Sequence, residues 1–216
     1  YFTGAISSAT AIRKALKENL FMEDIQASTP EASWNIIQDS IMIKKGPVFW
    51  EDFTDILLYQ IRKSSYQDIE NLPDIKEGLE YRIKKAGNNS TCFEELIDLL
   101  KTKRYTRTFL QRSLCHLLLG INKEDVKQAK DILSPVYIRV LALNKKGRDL
   151  LKEIRKNTDY PIINKPADFK PDSPYLDRIF ELDTRATDIY SLGCKNNDYR
   201  IAGMDYRISP FYADSL

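Results

Sequence analysis

Apolar residues recur along most of this chain at three- and four-residue spacing, the period of a helix with one buried face. Ile75, Leu79, Ile83 and Ala86 stand at i, i+4, i+8 and i+11 and predict one such stripe. Glu80 and Lys84 are set to pair on its outer side, and Gly87-Asn88-Asn89 is expected to stop it. Thr91, with Glu94 three residues on, reads as a capping box, and Phe93, Leu96, Ile97 and Leu100 as the buried face of the helix that follows. Leu110, Leu114, Leu117 and Leu118 mark another helix, about 106–119, which Gly120 ends.

Earlier segments follow the same rule. A first helix is expected from about Thr10 to Glu18, turned by Phe21 and Met22. Ser28-Thr29-Pro30-Glu31 opens a second, with Trp34, Ile37 and Ile41 as its core positions and Gly46-Pro47 ending it. Phe53, Ile56, Leu57 and Ile61 make the next stripe.

After Pro135 the period changes. Tyr137–Leu143 is β-branched and apolar around Arg139 and predicts a strand, followed by a short helix, about 148–156, and a second short strand at Pro161-Ile162-Ile163. The stretch 165–174 holds three prolines and reads as a loop; a final helix is expected over 175–192, then a polar and aromatic tail. The fold class expected is mainly α, with a small βαβ-like element. It divides into residues 1–20, a helical region 21–134, and a small α/β element with a terminal helix over 135–216.

Composition narrows the function. The 216 residues are 43% hydrophobic, enough for a core, and the net charge is only +2, so any nucleic-acid role must come from local clustering. One cluster stands out. Between Asp98 and Glu124 there is no acidic residue, while Lys101, Lys103, Arg104, Arg107, Arg112 and Lys123 are basic, with Tyr105 among them. Such a segment either binds RNA phosphates with Tyr105 stacking on a base, or forms a solvated helix corner. Arg139, Lys145 and Lys146 would extend the same surface. The three cysteines, Cys92, Cys115 and Cys194, are odd in number and far apart, which fits a reducing cytoplasm. No apolar run approaches a membrane span and no membrane partner is expected. The opening Tyr-Phe-Thr-Gly, without Met, suggests a fragment of a longer protein.

Catalytic motifs are scarce: there is no GxGxxG, Walker loop or HExxH, and the lone His116 has no nucleophile or carboxylate at catalytic spacing. The start of the chain offers more. Ser7, Ser8 or Thr10 can cap a helix whose first turn presents free N–H groups and the positive dipole end, and Arg13 stands one turn beyond Thr10. That arrangement is either an ordinary capped helix or a phosphate cradle.

Ile6-Ser7-Ser8-Ala9-Thr10-Ala11-Ile12-Arg13-Lys14 resembles the I-S-S-T-x-I-R signature of HIGH-superfamily nucleotidyltransferases, with one Ala inserted, in the form found in the tRNA(Met) cytidine acetate ligase family. Phe93–Thr108 is similar to that family's F-x-E-L-I-x-L-x-K-T-K-R-Y-T-R-T block, and Glu77–Ile83 to its E-G-L-E-N-R-I, departing at Tyr81. Tyr137–Arg148 resembles R-V-L-G-F-N-x-K-G-R with Ala142-Leu143 in place of Gly-Phe, and Arg185–Tyr190 is a further match.

The resemblance implies an enzyme that activates acetate with ATP, with Mg²⁺ as companion, to acetyl-adenylate and passes the acetyl group to the N4 amine of the wobble cytidine of elongator tRNA(Met). It implies ATP-phosphate contacts at Ser7, Ser8, Thr10 and Arg13, and tRNA contacts at the basic cluster. Because no H-x-G-H motif is present, the chain is expected to be a C-terminal, tRNA-binding portion lacking an N-terminal Rossmann-like nucleotide domain, and to be inactive alone. The competing readings are a helical protein-interaction module and part of another HIGH-superfamily nucleotidyltransferase.

Overall fold

A computed structural model describes residues 7–18, 22–132 and 136–213. The boundaries expected near residues 20 and 134 fall at 19–21 and 133–135; these, with Ile6, Phe21 and Pro135, lie outside the described residues.

Helices α1 (Ala9–Glu18), α2 (Met22–Ala27) and α3 (Glu31–Met42) meet over a small cluster of Ala15, Ile25 and Trp34. That cluster covers only part of α3, so Ile37 is half-buried and Ile41, expected in the core, is exposed.

The main core lies among α4 (Thr54–Lys63), α5 (Tyr66–Glu70), α6 (Leu79–Asn89), α7 (Phe93–Leu100) and α8 (Arg107–Leu119). Each contributes the stripe that its periodicity dictates: Leu57 and Ile61, Ile83 and Ala86, Phe93 and Ile97, Leu110 and Leu114 are all buried. Burying each large side chain is worth about 1.5–3 kcal/mol.

Three local expectations change on contact with neighbouring helices. Gly87 does not stop α6, which runs on to Asn89. A Cβ there would lie 2.4 Å from Ile61 Cγ2, so this glycine lets α4 and α6 approach closely. Lys84 does not serve Glu80, whose side chain is buried; its Nζ donates to the carbonyls of Ile61 and Arg62 at 2.9 and 2.7 Å and to that of Ser64, closing the end of α4. Arg62 returns the arrangement, donating at 3.0 Å each to the carbonyls of Gly87, in the last turn of α6, and Ser90, just past its end. At the start of α7 it is Glu95, not Glu94, that accepts from the Thr91 N–H and hydroxyl, both at 2.8 Å. Glu94 is thereby left for longer-range partners.

Helix α8 starts where Thr106 Oγ1 accepts from the Phe109 N–H at 3.3 Å and ends at Gly120, whose φ of 68° suits a residue without a Cβ. Helix α9 (Lys123–Asp131) follows.

The strand expected over 137–143 is two strands with different partners. β1 (Ile138–Arg139) pairs in parallel with β3 (Ile162–Ile163), and α10 (Lys145–Lys156) lies between them in sequence. β2 (Ala142–Asn144) pairs in parallel with β4 (Phe211–Ala213), so the tail returns to the sheet region. Between them run α11 (Pro174–Ser191) and the short α12 (Met204–Arg207).

Two arginine knots hold this part in place. Arg139 binds Asp183 and Asp205, each at 2.8 Å, while the Tyr137 and Thr187 hydroxyls donate to the same two carboxylates. Arg178 grips both oxygens of Asp125 at 2.9 and 3.0 Å and the Gly120 carbonyl at 2.7 Å, fastening α11 to the α8–α9 turn. Among the described residues no helix is long and apolar enough to cross a membrane.

Candidate functional site

The first candidate is the start of α1. Ser8 Oγ accepts from the Ala11 N–H at 3.2 Å, so one orphan donor of the helix is satisfied internally. Ser7 Oγ is buried and has no hydrogen-bond partner among the described residues, and Thr10 is exposed. Arg13 projects from the next turn. Its Nη2 donates to the Val48 carbonyl at 3.2 Å and its guanidinium lies 5.9 Å from the centre of the Phe49 ring. Arg13 thereby stands at a cavity of about 330 Å³ walled by Phe49, Trp50, Phe53, Leu118 and Tyr190. It is the sole charged group in that lining.

The second candidate is the corner between α7 and α8. Lys101 and Lys103 are exposed and have no carboxylate partner among the described residues. Arg104 pairs with Glu77, and Arg112 with Asp74 at 3.2 Å, both between exposed side chains. Arg107 makes a two-pronged contact with Glu94, 2.7 Å on each arm. That guanidinium holds the Glu94 carboxyl down at about 2, against an ordinary value of 4.5. Tyr105 is half-buried: its ring stacks on Phe109 at 5.4 Å and its hydroxyl donates to the Lys76 carbonyl at 3.4 Å. One face of the ring is therefore committed to the protein.

The structure joins these two candidates, which lie about ninety residues apart in the chain. Lys17, on α1, contacts Glu51 at 2.5 Å and Glu94 at 3.7 Å. The Lys17 ammonium has a raised pKa, with the Glu51 hydrogen bond as the largest cause. Trp50 stacks on Phe93 at 5.3 Å, and Arg107 lies over the other partner of that stack, 5.8 Å from the Phe93 ring centre. Val48, Phe49, Glu51 and Glu94 were not legible as site residues, because their roles rest on backbone carbonyls and carboxylates brought from other helices.

Other expected residues fall elsewhere. Arg139 does not extend the basic corner: its side chain is 19% exposed and its guanidinium is committed to Asp183 and Asp205. Lys145 and Lys146 are exposed at the start of α10, where Asn144 Oδ1 caps the Gly147 N–H at 2.8 Å. His116 is half-buried with an unpartnered Nδ1, and burial lowers its pKa. Cys115, beside it, is free, and burial pushes its thiol up, which suits a packing role. Among the described residues no group of three or more His, Cys, Asp or Glu side chains is placed to hold a metal ion.

A serine-rich helix start, a guanidinium beside it and a surrounding helical body define a class. The family described as HIGH Nucleotidyl Transferase matches residues 1–205. The chain is 38% identical over 208 residues to the tRNA(Met) cytidine acetate ligase of Acetivibrio thermocellus, covering 94% of this chain and 50% of that protein. It is 40% identical over 204 residues to the enzyme of the same name from Caldanaerobacter subterraneus subsp. tengcongensis, covering 94% and 48%. The crystal structure of Thermotoga maritima TmcAL bound with alpha-thio ATP superposes with a TM-score of 0.90 at 29% identity, covering 98% of this chain and 53% of that one. The chain belongs to the HIGH Nucleotidyl Transferase family, and within the matches above it is similar to tRNA(Met) cytidine acetate ligases. It spans about half the length of the curated relatives it matches.

These matches correct the fold class expected from sequence. The chain is not a C-terminal helical portion lacking the nucleotidyltransferase domain, because the match to that family runs over residues 1–205. The match holds although the chain carries no H-x-G-H motif. The described part of the matched region is built from helices and short strands, of which β1 and β3 pair in parallel within it.

Proposed function

We propose that this chain supplies nucleotide-phosphate contacts and an RNA-facing surface to an ATP-dependent ligase that acetylates a cytidine of tRNA(Met). The observation that carries the nucleotide half is Ser7 Oγ, buried without a partner at the mouth of α1 beside the Ser8 cap. A buried hydroxyl left unpaired costs about 1–3 kcal/mol. A phosphate oxygen at the helix start would accept from it while meeting the positive dipole end and Arg13. The Thermotoga maritima relative crystallised with an ATP analogue supports this reading.

In the reaction, an acetate oxygen attacks the α-phosphorus of ATP and pyrophosphate leaves, giving acetyl-adenylate. The cytidine N4 amine then attacks the acetyl carbonyl, AMP departs, and the amine loses a proton. The chain's part is positioning and charge: Arg13, tethered to the Val48 carbonyl, meets developing negative charge on phosphate. The tRNA half rests on Lys101 and Lys103, free of carboxylates, with Arg104 and Arg112 in exposed pairs beside them. Arg107 and Tyr105 position that corner, and Lys145 and Lys146 are a separate exposed pair available to the same RNA.

The test is acetate-dependent ATP–pyrophosphate exchange by the full-length protein that contains this chain. Arg13→Ala is expected to depress exchange about a hundredfold, with the unfolding midpoint little changed. Exchange at the parent rate in that variant would leave Ser7–Arg13 as an ordinary capped helix start.

A further inference from the structure

The outer face of α6 carries a feature that neither the nucleotide contacts nor the basic corner uses. Tyr81, on α6, is 60% exposed, and Tyr66, on α5, is 45% exposed. Their rings lie 4.8 Å apart, centre to centre, at 40°. Large rings left this open are unusual on a helix whose inner face is fully packed, and each keeps a free π surface toward solvent.

Cations follow directly. Arg82 is next in sequence and Lys85 lies one turn from Tyr81 on the same face. Arg82 Nε and Nη2 both donate to the Leu99 carbonyl, at 3.1 and 2.8 Å. Leu99 is two residues before Lys101. Arg82, Lys85, Asn89 and Leu99 line a shallow depression of about 400 Å³ between α6 and α7. Lys85 belongs both to the Tyr81 side of α6 and to this depression, and the chain runs on from Leu99 to Lys101 and Lys103, so that rings, depression and lysines follow one another as a strip.

Most acidic groups around the strip are occupied elsewhere, Glu70, exposed one turn from Tyr66, and Asp98 excepted. Asp68 accepts from the Ser65 N–H and hydroxyl, each at 2.8 Å. Glu77 is held by Arg104 and Glu95 by Thr91. Glu80 is turned into the core. The field of Asp98 falls on Arg107.

Resting on the reading that this protein binds tRNA, we propose that Tyr66 and Tyr81 form a stacking platform for an unpaired nucleotide. Arg82, Lys85, Lys101 and Lys103 take the phosphates of the strand that leads to it. Bases in a duplex are stacked on each other and offer no free face to such a platform; loop bases do. The combination favours an RNA strand over an acidic peptide, because exposed cations suit phosphates while a pair of open rings beside them suits a stacked base.

The experiment compares affinity for a tRNA(Met) transcript and for a fully paired RNA duplex across a salt series. Tyr81→Ala is expected to weaken tRNA binding about tenfold while leaving duplex binding and the salt slope unchanged. Tyr66→Ala should act in the same direction. Tyr81→Phe, which keeps the ring, should stay within about twofold of the parent. Replacing Lys101 and Lys103 by Ala should instead weaken both RNAs and flatten the slope. Parent-like tRNA affinity in Tyr81→Ala, or an equal loss on the duplex, overturns the platform while the tRNA reading stands. If the parent protein binds neither RNA, the tRNA reading fails and the platform with it. Retention of a protein partner by the parent, lost in Tyr81→Ala without any change in tRNA affinity, assigns the face to that partner and overturns the platform.

Discussion

Arg104 and Arg139 each sit against carboxylates, in opposite surroundings. Arg104 and its partner Glu77 are 60% and 59% exposed, whereas Arg139 and Asp205 are 19% and 13% exposed. An exposed pair is worth roughly 0–1 kcal/mol and weakens with salt. Its carboxylate is easily exchanged for another anion, such as a phosphate. A pair shut away from water behaves differently, because removing one partner strands the other's charge. Around Arg139 that would fall chiefly on Asp205, since Asp183 is 39% exposed, and through both carboxylates on the Tyr137 and Thr187 hydroxyls. The tally of cations along a sequence therefore says little about which are available to a ligand. Availability is decided by acidic residues from other segments: Asp74, Glu77 and Glu94 for the corner, Asp183 and Asp205 for the knot.

The sharpest way to break this comparison is Arg139→Ala. It should destabilise the protein by about 3 kcal/mol, seen as a lowered midpoint in urea or thermal unfolding. Arg139→Lys should recover only part of the loss, because one ammonium cannot fork between two carboxylates. An unchanged midpoint in the alanine variant would mean that the knot is no more structural than the surface pairs.

What the sequence made legible follows the range of the forces involved. Leu79, Ile83 and Ala86 are buried as their spacing requires, since a helix's own geometry puts them on one side, whereas Ile75, also buried, precedes the helix, which starts only at Leu79 after the left-handed Gly78. Thr106 and Gly120 bound α8 because capping is likewise local. The motif around Ser7–Arg13 could be seen, but not its tether to the Val48 carbonyl, thirty-five residues away. The same holds for Lys84, which reads as a partner of Glu80 until α4 presents three carbonyl groups to it. The strand over 137–143 splits because its two halves find different partners, one of them seventy residues on in the tail. No periodicity carries that information.

Glu94 tests an intermediate case, because it pairs with Arg107 at a partly exposed site and also faces Lys17. Its folded pKa is about 2 against 4.5 for the free group. A depressed carboxylate stabilises the fold above the unfolded pKa, and that contribution is lost as pH falls from about 4.5 toward 2. Glu94→Gln should remove this part of the acid dependence while costing less than about 1 kcal/mol at neutral pH, since the pair is screened by solvent. Unfolding free energies at pH 7 and pH 3 give the answer. Equal losses at both pH values would show that the glutamate acts through packing, not charge.

The smallest effects belong to the outermost pairs, and there the sign is informative. Arg104→Ala and Arg112→Ala should change stability by no more than about 0.5 kcal/mol each, as expected for exposed ion pairs. Their influence should appear only with RNA present. Lys101 and Lys103 have no carboxylate to release, so replacing both by Ala should lower the log–log salt slope of tRNA binding by about 1.5. The two arginines, already half-neutralised by Glu77 and Asp74, should lower it by less. Removing the carboxylates is the discriminating step. Glu77→Gln together with Asp74→Asn leaves every cation in place and frees both guanidinium groups, so tRNA affinity at moderate salt should rise a few-fold. A fall in affinity would mean that Glu77 and Asp74 hold the arginines in their binding geometry. The exposed pairs of the corner would then be positioning devices, closer in kind to the Arg139 knot than their exposure suggests.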